Sequence, residues 1–322
     1  MTALQSPPEP AGTTGPTSPS PRRGRRRATA LAPRDKLILG LMLGIPALVH
    51  IALVWVPAFG SVVLSFSSWD GIGGFEDIEW VGIQNYVDIF TRYPRFWPAF
   101  QHNVIWLLFL LVIPTIAGLL LAVLLDRQLR FGRLYQSALY LPMVLSLALV
   151  GFIWQLIYQP EQGLLNSVLG TASTDPVNWL GDPDINLYAV LVAAGWRHTG
   201  YIMLLYLAGL KSVDPALKEA AALDGANAWQ TFFRVTFPVL KPVNVVVLVV
   251  TVIEGLRAFD IVYVINKGRN GLELLSVLVT DNIIGESSRI GWGSALAVIL
   301  LLIALGVIIP RLVQVFREEE RS

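Results

Sequence analysis

Residues 218–238 read KEAAALDGANAWQTFFRVTFP, and they lie between two long apolar runs. Nothing in this stretch can make or break a bond. Its residue types instead suit the docking of another protein's surface. Asp214 and Pro215 are a natural N-cap and first helical residue, and Ala216 to Leu223 are mostly strong helix formers. Asp224-Gly225 then breaks the helix, because glycine accepts the left-handed conformation of a tight turn. Asn227 can cap a second helix, with Trp229, Phe232, Phe233 and Val235 on one side of it. Ala220, Ala221 and Ala222 form a face of little bulk that lets a partner approach the backbone, and Glu219 puts a charge at its start. The plainer reading is a helical hairpin resting on the bilayer.

A second group of residues is ionisable and sits inside apolar runs, where charge is costly and faces a cavity or a partner. Arg197 and His198 lie in one such run; Glu254, Arg257 and Asp260 lie three apart in another. Counted along ideal helices, Arg197, Glu254 and Arg257 share a depth, so an Arg197–Glu254 pair is possible. One reading is a polar pathway for sugar hydroxyls, with Trp154, Trp196 and Tyr263 as stacking surfaces. The other is an ion pair that joins two helices and never meets a substrate.

The elements that must position these residues are membrane helices. Hydrophobic residues make up 54% of the 322 positions, and mean hydropathy is +0.59. The apolar residues come in blocks of about 20 or more, enough to cross a bilayer as helices. The blocks cover 37–66, 103–125, 138–158, 187–210, 243–265 and 293–315, which predicts six spans. The two-residue alternation of an outer-membrane barrel is missing. The first block begins too late, and is too long, for a cleaved signal peptide.

Seventeen basic residues fall before the first span, after the second and fourth, and at the C-terminus; only five fall in the opposite connectors. This asymmetry puts both termini and the 211–242 loop in the cytosol. Residues 1–35 read as a disordered basic tail, whose arginines touch anionic lipid beside the first span rather than nucleic acid. Residues 318–322 form a short C-terminal tail. The outer connectors include Val81 to Tyr86, a turn and short helix, and a glycine turn from Lys267 to Gly271 before an amphipathic stretch.

With no cysteines there is no thiolate chemistry. There is also no HExxH, no G-x-S-x-G and no carboxylate cluster at metal-ligand spacing. The chain lacks a G-x-x-x-x-G-K-[ST], so ATP hydrolysis would have to come from another chain.

The E-A-A stretch, the three-residue step to Gly225 and the downstream Phe237-Pro238 closely resemble the EAA loop of binding-protein-dependent ABC importer permeases. The sugar-uptake branch, that of the maltose and glycerol-3-phosphate permeases, is most similar. Trp80 to Tyr86 (WVGIQNY), Gly200 to Gly209 (GYIMLLYLAG) and Ala258 to Tyr263 (AFDIVY) match that branch too. The resemblance covers roughly 36–317. It implies an all-α integral membrane fold of six transmembrane helices, with a cytoplasmic coupling helix-turn-helix between the fourth and fifth.

It further implies that Glu219, Ala220, Ala221, Asp224, Gly225, Ala226, Phe237 and Pro238 form the element gripped by an ATPase. The ionisable residues inside the apolar runs, with aromatics near them, give the candidate translocation pathway, which is Glu254, Arg257, Asp260, Arg197, Trp196 and Tyr263. The implied partners are a second permease chain, two ATPase subunits, an extracytoplasmic solute-binding protein, a sugar and membrane lipid, with no nucleic acid. No cofactor or metal is expected, ATP being bound by the partner. The alternative, a stand-alone secondary carrier, calls for inverted repeats or broken helix pairs, and neither is legible in the sequence.

Overall fold

The computed structural model describes residues 32–127, 130–285 and 288–319. The expected tail lies outside these residues up to position 31, as do 320–322. The chain divides into two units, 1–55 and 56–322. In the first, α1 (Pro33–His50) starts two residues before the tail was expected to end, with Pro33 itself supplying the first helical φ. It continues as a π-helical stretch, Ile51–Trp55.

The second unit begins with α2 (Val56–Leu64). The short α3 (Gln84–Arg92) follows where the turn at Gly82 predicts it. The motif around it has a structural job: buried Asn85 donates from Nδ2 to the carbonyls of Ser65 at 2.9 Å and Ser67 at 2.7 Å. Those carbonyls follow the end of α2 and have no helical partner, so the amide satisfies them. Next come α4 (Phe96–Asp126), α5 (Gly132–Val144), α6 (Leu147–Ile157) and the short α7 (Leu164–Leu169). The long α8 (Asn186–Ser212) leads into the hairpin, α9 (Pro215–Leu223), α10 (Ala228–Thr231) and α11 (Phe237–Val239). The unit closes with α12 (Lys241–Leu256), α13 (Asp260–Asn266), α14 (Leu275–Ile284) and α15 (Ile290–Glu319).

The fold is all-helical; among the described residues the strand-like pairing is an isolated bridge between Ser67 and Trp80. Three helical stretches are long and apolar enough to cross a membrane, Pro33–Leu64, Phe96–Asp126 and Ile290–Gln314. Two of the six expected spans are not continuous helices. The third is the pair α5 and α6, bent by 101°, with Pro142 in the last turn of α5 and Ser146 capping α6 by accepting from the Leu149 amide at 3.2 Å. The fifth breaks between Leu256 and Asp260. Apolar length alone does not reveal such breaks, because a run of about 20 residues stays apolar on average with Ser146 or Arg257 inside it. The fourth, α8, is 27 residues long but carries Arg197 and His198. It tolerates them because it is the most enclosed helix, packed on α4, α5 and α12.

Small residues let α8 sit this deep. A Cβ on Gly200 would lie 2.4 Å from the Leu139 carbonyl oxygen of α5, and one on Gly118 would lie 2.9 Å from the Met203 amide nitrogen. Backbone cannot yield as a side chain can. Gly200→Val should therefore cost about 2 kcal/mol or more through forced separation of α8 from α5. The check is a lowered thermal midpoint in detergent, with Gly306→Val as the control, since an added Cβ there meets nothing within 4 Å.

Candidate coupling hairpin and polar cavity

The hairpin between α8 and α12 is built by its caps. Asp214 Oδ1 accepts from the Ala216 amide at 2.9 Å, and Pro215 opens α9. At the other end Gly225 has φ +80°. The Ala226 amide reaches back to the Ala221 carbonyl at 3.0 Å, and the Gly225 amide to Ala222 at 3.1 Å. These two bonds are the Schellman closure, which needs a left-handed residue at the glycine position. Asn227 and Gln230 then form a reciprocal capping box, with bonds of 2.9 and 3.0 Å.

The second arm differs from the continuous amphipathic helix the sequence suggests. After α10 it widens into a π-helical turn, Phe232–Thr236, in which the Phe237 amide bonds to Phe232. Pro238 accounts for the widening, since it has no N–H for the Arg234 carbonyl and its ring pushes that carbonyl aside. Pro242 sits in the first turn of α12. The three alanines do not share a face either. Ala221 is buried against the protein, while Glu219, Ala220 and Ala222 are exposed, because successive helical residues turn by about 100°. The outward surface is completed by Leu223, 90% exposed, and Trp229, 73% exposed. Phe232, Phe233 and Phe237 pack with Trp229 as one aromatic cluster, with centroid separations of 4.5 to 6.3 Å.

The hairpin is tied to α4 by charge. Asp126 accepts from Lys218 of α9 at 3.4 Å and forms an ion pair at 3.6 Å with Lys211 at the end of α8. These groups are partly exposed, so Asp126→Asn should change folding stability by less than about 1 kcal/mol. Equilibrium unfolding of the purified chain reads that directly; a loss of about 2 kcal/mol or more would mean the contact is not solvent-screened, as about 1 kcal/mol is the ceiling for an exposed pair.

The intramembrane charges do converge. Arg197 and His198 from α8, Glu254 and Arg257 from the end of α12, and Asp260 from the start of α13 line one cavity of about 40 Å³, with Phe259, Trp106 and Leu110. The break between α12 and α13 places Asp260 in the first turn of a new helix, where a carboxylate is favoured. Glu254 and Asp260 therefore do not share one helical face. Among the described residues no Arg197–Glu254 ion pair forms within 4.0 Å, and the buried Arg197 Nε has no hydrogen-bond partner.

Trp196 and Tyr263 do not line the cavity. Trp196 meets Trp154 edge-on at 5.8 Å, and Tyr263 stacks on Phe259 at 4.9 Å. The sequence reading left His198 without a role, yet its Nε2 lies 2.9 Å from Thr251 Oγ1 and joins α8 to α12 in the buried layer. Counted along ideal helices, His198 lies about 18 Å and Thr251 about 12 Å from the cytoplasmic ends of their runs, so the sequence did not pair them. Space of 40 Å³ holds about one water and no sugar ring.

Comparison with known proteins agrees with this architecture. Residues 114–321 match the family model described as the binding-protein-dependent transport system inner membrane component. The osmoprotective compounds uptake permease protein GgtC of Synechocystis is 34% identical over 283 residues, 86% of this chain and 98% of that one. The xylose/arabinose import permease protein XacH of Haloferax volcanii is 34% identical over 279 residues, 85% of this chain and 87% of its own length. The trehalose/maltose transport system permease protein MalF of Thermococcus litoralis is 30% identical over 268 residues, 83% and 90% of the two chains. A chain from the crystal structure of a bacterial ABC transporter for the acidic polysaccharide alginate superposes with a TM-score of 0.72. That chain is 22% identical, and the match covers 86% of this chain and 93% of that one, so it speaks for the fold.

The chain belongs to the family of binding-protein-dependent transport system inner membrane components. It is the permease part of such a system, a transport subunit and not an enzyme.

Proposed function

We propose that this chain forms half of the pathway of a carbohydrate importer. It pairs with a second, different permease chain, receives its sugar from an extracytoplasmic binding protein, and is driven by two ATPase subunits. ATP is bound by those subunits, and the permease carries no cofactor of its own. The sugar class rests on relatives whose names specify xylose/arabinose and trehalose/maltose import. The membrane is crossed six times, the third and fifth crossings being the broken pairs α5–α6 and α12–α13. Both termini and the hairpin face the cytosol, as the basic-residue asymmetry requires.

The observation that carries this reading is the doubly capped hairpin, with Glu219, Ala220, Leu223 and Trp229 turned outward. A bare connector needs no Schellman closure and no capping box. An exposed Trp229 and Leu223 stand ready for a partner cleft. Closure of the ATPases on ATP would push α9, and the Lys218–Asp126 contact would pass that push to α4. The substrate route lies where Arg197, Glu254, Arg257 and Asp260 face the second permease, the cavity within one chain being too small for a sugar.

Broken helices are also what a stand-alone carrier would show, so assembly must discriminate. A tagged chain should bring down ATPase subunits at about two per copy of this chain, as that assembly requires. A cysteine introduced at Gln230 of this cysteine-free chain should react from the cytosolic side only. Outside labelling, or purification without an ATPase, would refute the importer reading.

A further inference from the structure

Where α4 ends and α5 begins, an open groove of about 680 Å³ is lined by Arg127, Arg130, Arg133 and Lys211, with Asp126 as its one acid. Asp126 is already engaged by Lys211 and Lys218. Arg127, Arg130 and Arg133 are exposed, and among the described residues no carboxylate lies within salt-bridge distance of them. The groove also contains the N-terminus of α5, which no side chain caps. Its positive end adds to the field of the three guanidiniums. Beside these cations stand apolar groups: Phe131 is 56% exposed and Leu134 is 66% exposed. The arginines follow directly on the apolar helix Phe96–Asp126, at the level where a hydrocarbon core gives way to headgroups.

We propose that this groove binds the phosphate headgroup of an anionic phospholipid, taking a phosphodiester between Arg127, Arg130 and Arg133 and laying an acyl chain on Phe131 and Leu134. The inference rests on the cytosolic orientation proposed above, which puts the groove in the anionic inner leaflet. A free phosphate would use the same cations but has no use for two exposed apolar side chains at a span's end. Arginines that only set topology need face no common groove and need no uncapped helix end among them. A guanidinium matches a phosphate with two parallel hydrogen bonds, which a screened surface charge does not provide. Bound there, the lipid would wedge the α4–α5 corner beside Asp126, the residue tied to α9.

The experiment uses the whole purified transporter in nanodiscs of phosphatidylcholine with graded phosphatidylglycerol. Co-purified lipid is counted by native mass spectrometry after extraction in neutral detergent. Wild type should retain phosphatidylglycerol at the level of one or two molecules per copy of this chain. At about fivefold per basic side chain, R127Q/R130Q/R133Q should lose its preference for phosphatidylglycerol by tenfold or more. R92Q/K267Q/R269Q, three neutralisations in the opposite connectors, should keep it. R130Q and R133Q alone should each lose part of it, which preserves the test if the triple variant does not assemble.

Equal retention by the triple variant and wild type overturns the proposal, and so does equal loss in the control. Release of the lipid by 10 mM inorganic phosphate would assign the groove to a soluble phosphate instead. Loss of the ATPase with lipid retention unchanged would make it a protein contact. Lipid retention and ATPase stoichiometry are read separately, so failure of this inference is distinct from failure of the importer reading.

Discussion

Valine at position 225 should reduce uptake at least tenfold and weaken capture of the ATPase, while the chain still reaches the membrane. The space around Gly225 is empty, with nothing within 4 Å of an added Cβ. The penalty is therefore conformational and not steric against a neighbour. At φ +80° an ordinary residue pays about 1–2 kcal/mol, and a β-branched one more; each 1.4 kcal/mol is a factor of ten. If the turn relaxes, the bonds from Ala226 to Ala221 and from Gly225 to Ala222 go with it, and the angle between α9 and α10 is no longer set. Gly225→Asn should be close to wild type, because asparagine tolerates the left-handed region. If valine and asparagine transported equally well, the turn geometry would have no part in coupling.

Glu254→Ala should lower uptake by about tenfold or more in a complex that still assembles with its ATPase. Glu254 is half-buried beside Arg197 and Arg257, and Arg197 Nε already lacks a partner. Removing the carboxylate leaves two guanidiniums and one aspartate around a small cavity at membrane depth, an arrangement that is costly without compensation. Glu254→Gln keeps the volume and one acceptor oxygen while deleting the charge. Uptake lost in both variants, with the thermal midpoint unchanged, would assign the charge to the pathway. Loss of assembly in both would assign it to structure. Normal uptake by the alanine variant would remove Glu254 from either role.

Much of the hairpin was readable as a string of letters. Asp214, Asp224-Gly225 and Asn227 each act through hydrogen bonds between groups two to five residues apart, and local chemistry of that kind is written in local sequence. The orientation of its alanines was harder. Three consecutive alanines look alike in the sequence, and only the packing of α9 decided that Ala221 turns inward. Spans three and five were legible as apolar segments but not as broken helices. Pro142 hinted at the first break; at the second, Arg257, Ala258 and Phe259 contain no proline or glycine. Ser276 Oγ donates to the Ala258 carbonyl at 2.5 Å, so a group 18 positions away meets a carbonyl inside that break.

The intramembrane charges show the same division. That Arg197, Glu254 and Arg257 lie at one depth followed from counting residues along helices of fixed rise. That they surround a cavity without an Arg197–Glu254 pair depends on how α8 turns against α12, with His198 bonded to Thr251 at 2.9 Å. Sequence alone determined a helical membrane protein with a doubly capped loop, because burial in lipid and helix capping act over a few residues or one segment. Which faces meet, where helices break and which charges share a cavity were decided by the tertiary structure, because side-chain rotation about a helix axis is set by neighbours far along the chain.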